Sequence, residues 1–243
     1  NNENVGRSLP IHNSEIISFI NNLSFQLTNC QKASIKNIIK SQNSPLQMRK
    51  LLQGDVGTGK TIVAAIAIYN TILSNKQAVV MAPTSVLTEQ LFDNITRFLP
   101  SVNICIITSK LSKARKRSFI KDIENGEIKV IIGTHALLYD HIEYNDLALI
   151  VIDEQHRFGV SQRTHLINNS RHKADFLLMS ATPIPRTLAM SLYADLDIIF
   201  MHSRPIERKE IITKLISSNK YNIFLEYIKK SLKNGDKIYW ICP

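Results

Sequence analysis

Cysteine is scarce in this chain of 243 residues, and the three present, Cys30, Cys105 and Cys242, lie far apart with no CxxC spacing. That excludes a disulfide framework and a cysteine-based zinc site, and it implies a reducing, cytoplasmic setting. Long apolar runs are missing too. The longest, Ile62 to Ile68, falls well short of the roughly 20 residues a membrane-spanning helix requires, so no membrane association is expected. The first ten residues lack a basic start and an apolar core, which excludes a signal peptide, and because the chain does not open on Met it reads as a piece of a longer protein. Acid is in deficit: 20 Asp plus Glu against 30 Lys plus Arg leave a net charge of +10. A polyanionic partner such as nucleic acid follows from that imbalance, although a drift toward Asn, Ile and Lys would raise the charge without any selection for binding. With 44% hydrophobic and 21% charged residues, a disordered or collagen-like chain is excluded.

What is present is an alternation of short apolar runs with longer stretches of helical periodicity, the pattern of an α/β protein built on a mostly parallel sheet with crossover helices. Strands are expected at Met48 to Gln53, Ala78 to Ala82, Ile104 to Ile107, Val130 to Gly133, Leu147 to Asp153 and Phe176 to Ser180. Helices are expected at Lys60 to Leu73, rich in Ala and buried, and at Val86 to Phe98, amphipathic with Pro100 beyond its end. After Phe200 the pattern breaks at Ser203-Arg204-Pro205. A strand at Glu210 to Leu215, a helix from about Tyr221 to Leu232 and a strand from Lys237 to Cys242 then read as the start of a second α/β unit. Residues 1–22 read as a connecting segment, 23–203 as the first domain and 204–243 as a linker with that incomplete second unit.

The sharpest signal is GDVGTGKT, Gly54-Asp55-Val56-Gly57-Thr58-Gly59-Lys60-Thr61, set between an expected strand and an expected helix. Glycines at 54, 57 and 59 let the backbone turn with positive φ and present its N–H groups to a triphosphate, while the helix behind directs its N-terminal partial charge at the same anion. Lys60 would reach the β and γ phosphates and the Thr61 hydroxyl would ligate Mg²⁺. A Gly-rich tight turn is the plain alternative. The apolar run Leu147 to Ile152 ends in Asp153-Glu154, and in a parallel sheet acids at a strand's carboxyl end face the ligand crevice. Asp153 then stands as the metal-side carboxylate and Glu154 as the residue that orients or deprotonates the attacking water, the alternative being an acidic turn.

The strings around these two motifs carry a resemblance. GDVGTGKT, MAPTSVLTEQ at Met81 to Gln90, GTHALL at Gly133 to Leu138, DEQHRFGVSQR at Asp153 to Arg163 and MSATPIPRTLAM at Met179 to Met190 resemble the superfamily-two helicases. Within them the chain is similar to the RecG-type DNA branch-migration helicases over roughly residues 23 to 243. The Gln at 155, the YADLD segment at Tyr193 to Asp197 and the ATPIPRTLA string set it closer to these than to the transcription-repair coupling translocases.

The resemblance implies a RecA-like P-loop fold for residues 23–203 and the opening of a second RecA-like domain after it. It also implies ATP and Mg²⁺ as cofactors, and branched DNA, such as forks and Holliday junctions, as partner. Gln31, after Phe25-Gln26-Leu27-Thr28, would read the adenine. Pro83, Thr84, Gly133, Thr134 and His135 would touch DNA phosphates, although from spacing alone they equally describe strand-to-helix turns with an N-cap Thr. Ser180, Ala181 and Thr182 would couple hydrolysis to movement, with His156 relaying the nucleotide state. The basic run Lys110, Lys113, Arg115, Lys116 and Arg117 reads as a solvated helix face.

Departures from the family pattern are Ser180 where Thr is common, Ala194 where Gly is common and Glu207 in a turn that usually carries Pro-Gly-Arg. The wedge domain that grips branched DNA, and the later motifs that supply arginine fingers, are not in these residues. The resemblance therefore implies a partner wedge domain, a partner remainder of the second motor domain, and a catalytically incomplete isolated chain. A non-catalytic nucleotide-binding remnant and the motor of a coupling translocase are the other readings.

Overall fold

All six residues of Leu147–Ile152 are apolar and all six are buried, a pattern that only a strand covered on both faces can satisfy. A computed structural model of the protein describes residues 6–134, 137, 142–154, 174–182, 196–202 and 212–241. Within them seven strands form one sheet: β1 (Arg49–Gly54), β2 (Gln77–Met81), β3 (Ile104–Ile107), β4 (Val130–Gly133), β5 (Leu147–Ile152), β6 (Asp175–Ser180) and β7 (Asp197–Met201). Their order is β3-β4-β2-β5-β6-β1-β7 and every pairing is parallel. The α/β class with a parallel sheet stands as read from the sequence.

Alternation along each strand feeds two separate cores. Leu52, Val80, Ile132, Val151 and Leu177 pack under α1 (Asn13–Asn21), α2 (Asn29–Gln42), α3 (Lys60–Leu73) and α4 (Ser85–Phe98). Leu51, Val79, Ile131, Ile150 and Leu178 face the other way, where α5 (Lys113–Glu124) contributes Ile123. α3 is buried along most of its length, and Ala64, Ala65 and Ala67 let its backbone approach the sheet closely. Six of the eight strands and all three helices named from the sequence lie within a residue of their expected bounds.

Three features differ from expectation. β7 was not foreseen; its five residues DIIFM are partly exposed along the sheet edge, so they lack the buried run of the other strands. The Lys50 ammonium, itself buried, pairs with the Asp197 carboxylate and pins this edge strand to β1. Residues 6–22 do more than connect. Leu9 is buried, its N–H donates to the Gln42 carbonyl, and α1 sends Ile16 into the first core.

The strands expected at Glu210 to Leu215 and Lys237 to Cys242 are not formed in their described parts, 212–215 and 237–241. The chain divides into Asn1–Ile206 and Glu207–Pro243. The described part of the second unit holds a short turn of helix and α6 (Tyr221–Lys233), but no neighbouring strand to complete a ladder. Leu215, Tyr239 and Ile241 are exposed there, and Trp240 rests 6.1 Å from the Phe224 ring and 6.4 Å from Tyr221.

At the amino end of β6, Asp175 is buried with one oxygen accepting from the Met48 N–H at 2.7 Å and Oδ2 without a partner. Burial pushes its carboxyl up to about 8, against the pull of the Met48 N–H and the Arg7 charge. The folded state therefore holds a proton that an unfolded aspartate, with its pKa near 3.8, has released. Stability should fall as pH rises from about 4 to about 8 and then level off. Asp175→Asn keeps the acceptor for Met48 and needs no proton. The variant's urea midpoint should lie close to the parent's near pH 3.5 and exceed it increasingly toward pH 8.5, and a constant difference across that range would contradict the assignment.

Candidate active site

A parallel, in-register sheet places the carboxyl ends of its strands along one edge. Gln53 pairs with Ser180, Gly54 with Met201, Met81 with both Ile152 and Gly133, and Gly133 with Ile107. The phosphate-type loop after β1, the Ser180 turn after β6 and the Asp153 turn after β5 therefore lie side by side. Pro83-Thr84 after β2 and Gly133-Thr134 at the end of β4 continue the same edge beyond Asp153.

The loop owes its shape to glycines at named points. Gly57 and Gly59 have φ of 80° and 83°, in the left-handed region that a side chain disfavours. A Cβ at Gly54 would meet Met201 at 2.8 Å, and one at Gly59 would meet Gln31 Nε2 at 2.2 Å. Thr58 closes the turn, its hydroxyl and its N–H both donating to the Asp55 carbonyl, at 2.9 and 3.2 Å. The Asp55 carboxylate accepts from the Val56 N–H. Gly59 then starts α3 with no side-chain cap, which leaves the first-turn N–H groups directed at the loop, the arrangement that binds anions.

The Lys60 ammonium donates to the Gly54 carbonyl at 2.6 Å and to that of Asp55 at 3.2 Å. Partial burial lowers its pKa, while Asp153, Glu154 and Asp55 act in the opposite direction. Loop lysine and strand-end acids thus feel one another's charge. Thr61, one residue into α3, is half-buried.

Asp153 is held through its backbone N–H, which donates to the Met81 carbonyl at 2.8 Å, and its carboxylate accepts from the Glu154 N–H at 3.0 Å. Burial first, and the Glu154 charge second, push its pKa up to about 6. An oxygen donor short of positive charge, beside a hydroxyl-bearing loop, is a fitting ligand for a hard divalent cation. Glu154 adopts φ of 49°, left-handed for a side-chain-bearing residue, a strain of the kind that persists where surrounding structure imposes it.

Gln31 faces inward. Its Oε1 accepts from the Thr28 N–H at 2.8 Å, the Thr28 hydroxyl accepts from the Gln31 N–H, and its Nε2 donates to the Thr58 carbonyl at 2.9 Å. The expected reader of a base is thus a capping-box residue that ties the start of α2 to the loop. The Thr-x-x-Gln spacing at 28–31 was the sequence signal for the capping box.

Thr84 is exposed and caps α4, its hydroxyl accepting from the Leu87 N–H at 3.3 Å. Pro83 is half-buried beside it. Thr134 is buried and its carbonyl accepts from Leu137, while a Cβ at Gly133 would meet the Ile107 carbonyl at 2.7 Å. Ser180 is fully buried, with its hydroxyl bonded into the Thr182 backbone; Ala181 is half-buried and Thr182 exposed. His135 and His156 lie outside the described residues, as does Gln155. Gln53, absent from the sequence-based site, sits buried at the end of β1 directly before Gly54.

With this geometry in place, the comparisons assign a class. The family model for the DEAD/DEAH box helicases matches residues 28–191, and the chain belongs to that family. Within it the chain resembles RecG. It is 41% identical over 233 residues to the ATP-dependent DNA helicase RecG of Bacillus subtilis, covering 95% of this chain and 34% of the relative. The RecG of Aquifex aeolicus is 42% identical over 227 residues, covering 92% and 29%. Among solved structures, RecG bound to a three-way DNA junction superimposes with a TM-score of 0.84 at 34% identity, over 96% of this chain and 31% of that one. Mss116p bound to single-stranded RNA and AMP-PNP shares the fold, with a TM-score of 0.65 at 20% identity over 92% of this chain and 51% of that one. The chain spans about a third of the length of the RecG relatives it matches.

Removing the Gln31 side chain leaves the buried Thr58 carbonyl and the Thr28 N–H without partners. Gln31→Ala should lower unfolding stability by about 1–3 kcal/mol, read from the urea midpoint, and Thr28→Ala by about 1 kcal/mol. Because both belong to one motif, the double variant should lose less than the sum.

Proposed function

We propose that this chain is the nucleotide-binding motor segment of an ATP-dependent DNA helicase that acts on branched DNA, of the RecG type. The observation that carries the reading is the phosphate loop and the Asp153-Glu154 strand end lying close enough to share charge at one sheet edge. The 41% identity to a RecG helicase supports it over a coupling translocase or a non-catalytic remnant.

In this reading the loop N–H groups and the first turn of α3 cradle the nucleotide's phosphates, and the Lys60 ammonium moves from its carbonyl acceptors to the β and γ phosphates. Thr61 and Asp153 would hold Mg²⁺, whose chemistry when bound would be to neutralise charge on the phosphate oxygens. Glu154, fixed by its turn, orients the attacking water and accepts its proton. Gln31 keeps the loop in register with α2, and its contact with the adenine belongs to the same proposal. Ser180, Ala181, Thr182 and His156 pass the state of the site to the rest of the motor.

DNA phosphates would run along the other half of the edge, past Pro83, Thr84, Gly133, Thr134 and His135. The Thr84 hydroxyl can cap α4 as an acceptor and still donate its own proton to a phosphate. The wedge domain and the remainder of the second motor domain are the expected partners within the longer protein, and the cytoplasm the expected compartment.

Titration with a fluorescent ATP analogue in Mg²⁺ tests the site. Wild-type chain should bind, and Lys60→Ala should lose most of the affinity while keeping its melting temperature; equal binding curves would remove the phosphate-loop assignment. Turnover tests the motor. An arginine supplied across the cleft is worth on the order of a thousandfold or more in related phosphate-loop enzymes. The 243 residues alone should therefore release phosphate near the background rate. A chain completed with the second motor domain should gain DNA-stimulated hydrolysis dependent on Lys60, Asp153 and Glu154. Vigorous stimulated turnover by the short chain would show that one of its own arginines already completes the site.

A further inference from the structure

Gln53, the last residue of β1 before the phosphate loop, is 7% exposed, and its Oε1 is buried with no hydrogen-bond partner. Such an oxygen costs stability, and an apolar residue of the same size would not. Strand alternation says what it faces. Leu51 lies in the second core and Leu52 in the first, so Gln53 shares the face of Leu51. On β6, Leu178 lies in that same core, so Ser180 shares the face too, and Ser180 is the register partner of Gln53. Neighbouring strands run about 4.8 Å apart, a span that a glutamine amide and a serine hydroxyl bridge readily.

The Ser180 hydroxyl is occupied within its own turn. It donates to the Thr182 carbonyl at 3.1 Å, accepts from the Thr182 N–H at 3.2 Å, and lies 3.2 Å from the Thr182 hydroxyl. One buried acceptor without a donor therefore stands beside one buried donor, which has a single proton to give. The same hydroxyl can donate within its own turn, to the Thr182 carbonyl or hydroxyl, or across to Gln53, and that choice decides whether the Ser180–Thr182 turn is closed by its own serine. Gln53 is joined to Gly54 by one peptide bond, so it shifts with the loop. β6 lies between β1 and β5, which sets the turn between the loop and Asp153.

We propose that Gln53 is a positioning residue that links the phosphate loop to the Ser180–Thr182 turn. When the loop closes on nucleotide, the Ser180 hydroxyl turns its hydrogen bond from the Thr182 carbonyl to Gln53 Oε1, which accepts it, and the turn is released into a second conformation. This rests on the function proposed above, since it requires nucleotide on the loop.

Hydrogen exchange of the peptide carrying Ser180 to Thr182, followed with and without Mg²⁺-ATP, reads the switch. In the wild-type chain nucleotide should change exchange there by about tenfold. Gln53→Leu removes the acceptor and keeps the volume. It should melt at the same or a higher temperature, still bind the fluorescent ATP analogue, and lose the exchange response. Ser180→Ala should lose the response as well, and combining the two should cost nothing further. Gln53→Met serves if the leucine variant folds poorly. An exchange response identical in wild type and Gln53→Leu would overturn the link alone, as would sharp destabilisation of both apolar variants, which would give the oxygen a structural partner. Wild-type chain that fails to bind nucleotide would overturn both the link and the function beneath it.

Discussion

The parallel ladder is the constraint from which the rest of the molecule follows. Parallel strands must be connected by crossovers, the crossovers cover both faces, and residues such as Leu149 and Ile150 end up in different cores although they are neighbours in sequence. The same geometry leaves every loop after a strand at one edge. Residues 54–61, 153–154 and 180–182, more than a hundred positions apart at the extremes, converge there because their strands occupy adjacent places in the order β5-β6-β1. No side-chain interaction is needed to bring them together.

Electrostatics then sorts that edge into parts. Asp153 is pushed up by burial and by Glu154, and Lys60 is pushed down by burial, so each is uncomfortable in a way that the other's charge relieves. Burial is the larger cause for both. A site whose charges are underpaired in this manner gains when a polyanion and a divalent cation enter together, because each arriving charge finds an opposite one already desolvated. The basic run at 110–117 belongs to a different situation. Lys110 pairs with Glu89 on the surface and Arg115 lies 5.7 Å over the Phe119 ring, exposed contacts worth little in either direction.

Much of this was legible in the sequence where burial is one-sided in its demands. Apolar runs such as LALIVI and the Ala-rich stretch after Lys60 can hardly be anything but buried strand and buried helix, and the glycines at 57 and 59 announce the positive φ they adopt. Legibility failed where an element depends on its neighbours. DIIFM forms β7 because β1 offers it a ladder, while the apolar residues at 212–215 and 237–241 form none, with no strand beside them among the described residues. Gln31 and Gln53 failed for another reason. A glutamine's role is decided by what stands within hydrogen-bond reach, and neither the Thr58 carbonyl near residue 31 nor the Ser180 register of residue 53 can be read from spacing.

The two ends of the sheet carry polar groups of different kinds, and the difference separates scaffold from machinery. At the amino ends, Asp146 is satisfied by Arg7 and Lys76, and the unpartnered oxygen of Asp175 has an escape, because a carboxyl raised to about 8 holds a proton at neutral pH and is buried uncharged. At the carboxyl ends two costs lack such relief. The amide of Gln53 cannot change its protonation, and the left-handed backbone of Glu154 cannot be relaxed by a proton. These costs sit on adjacent turns around Ser180, where only a change of conformation or an incoming ligand can remove them. Strain that titration can discharge serves stability alone, whereas strain that only binding can discharge is available to do work on the turn beside it.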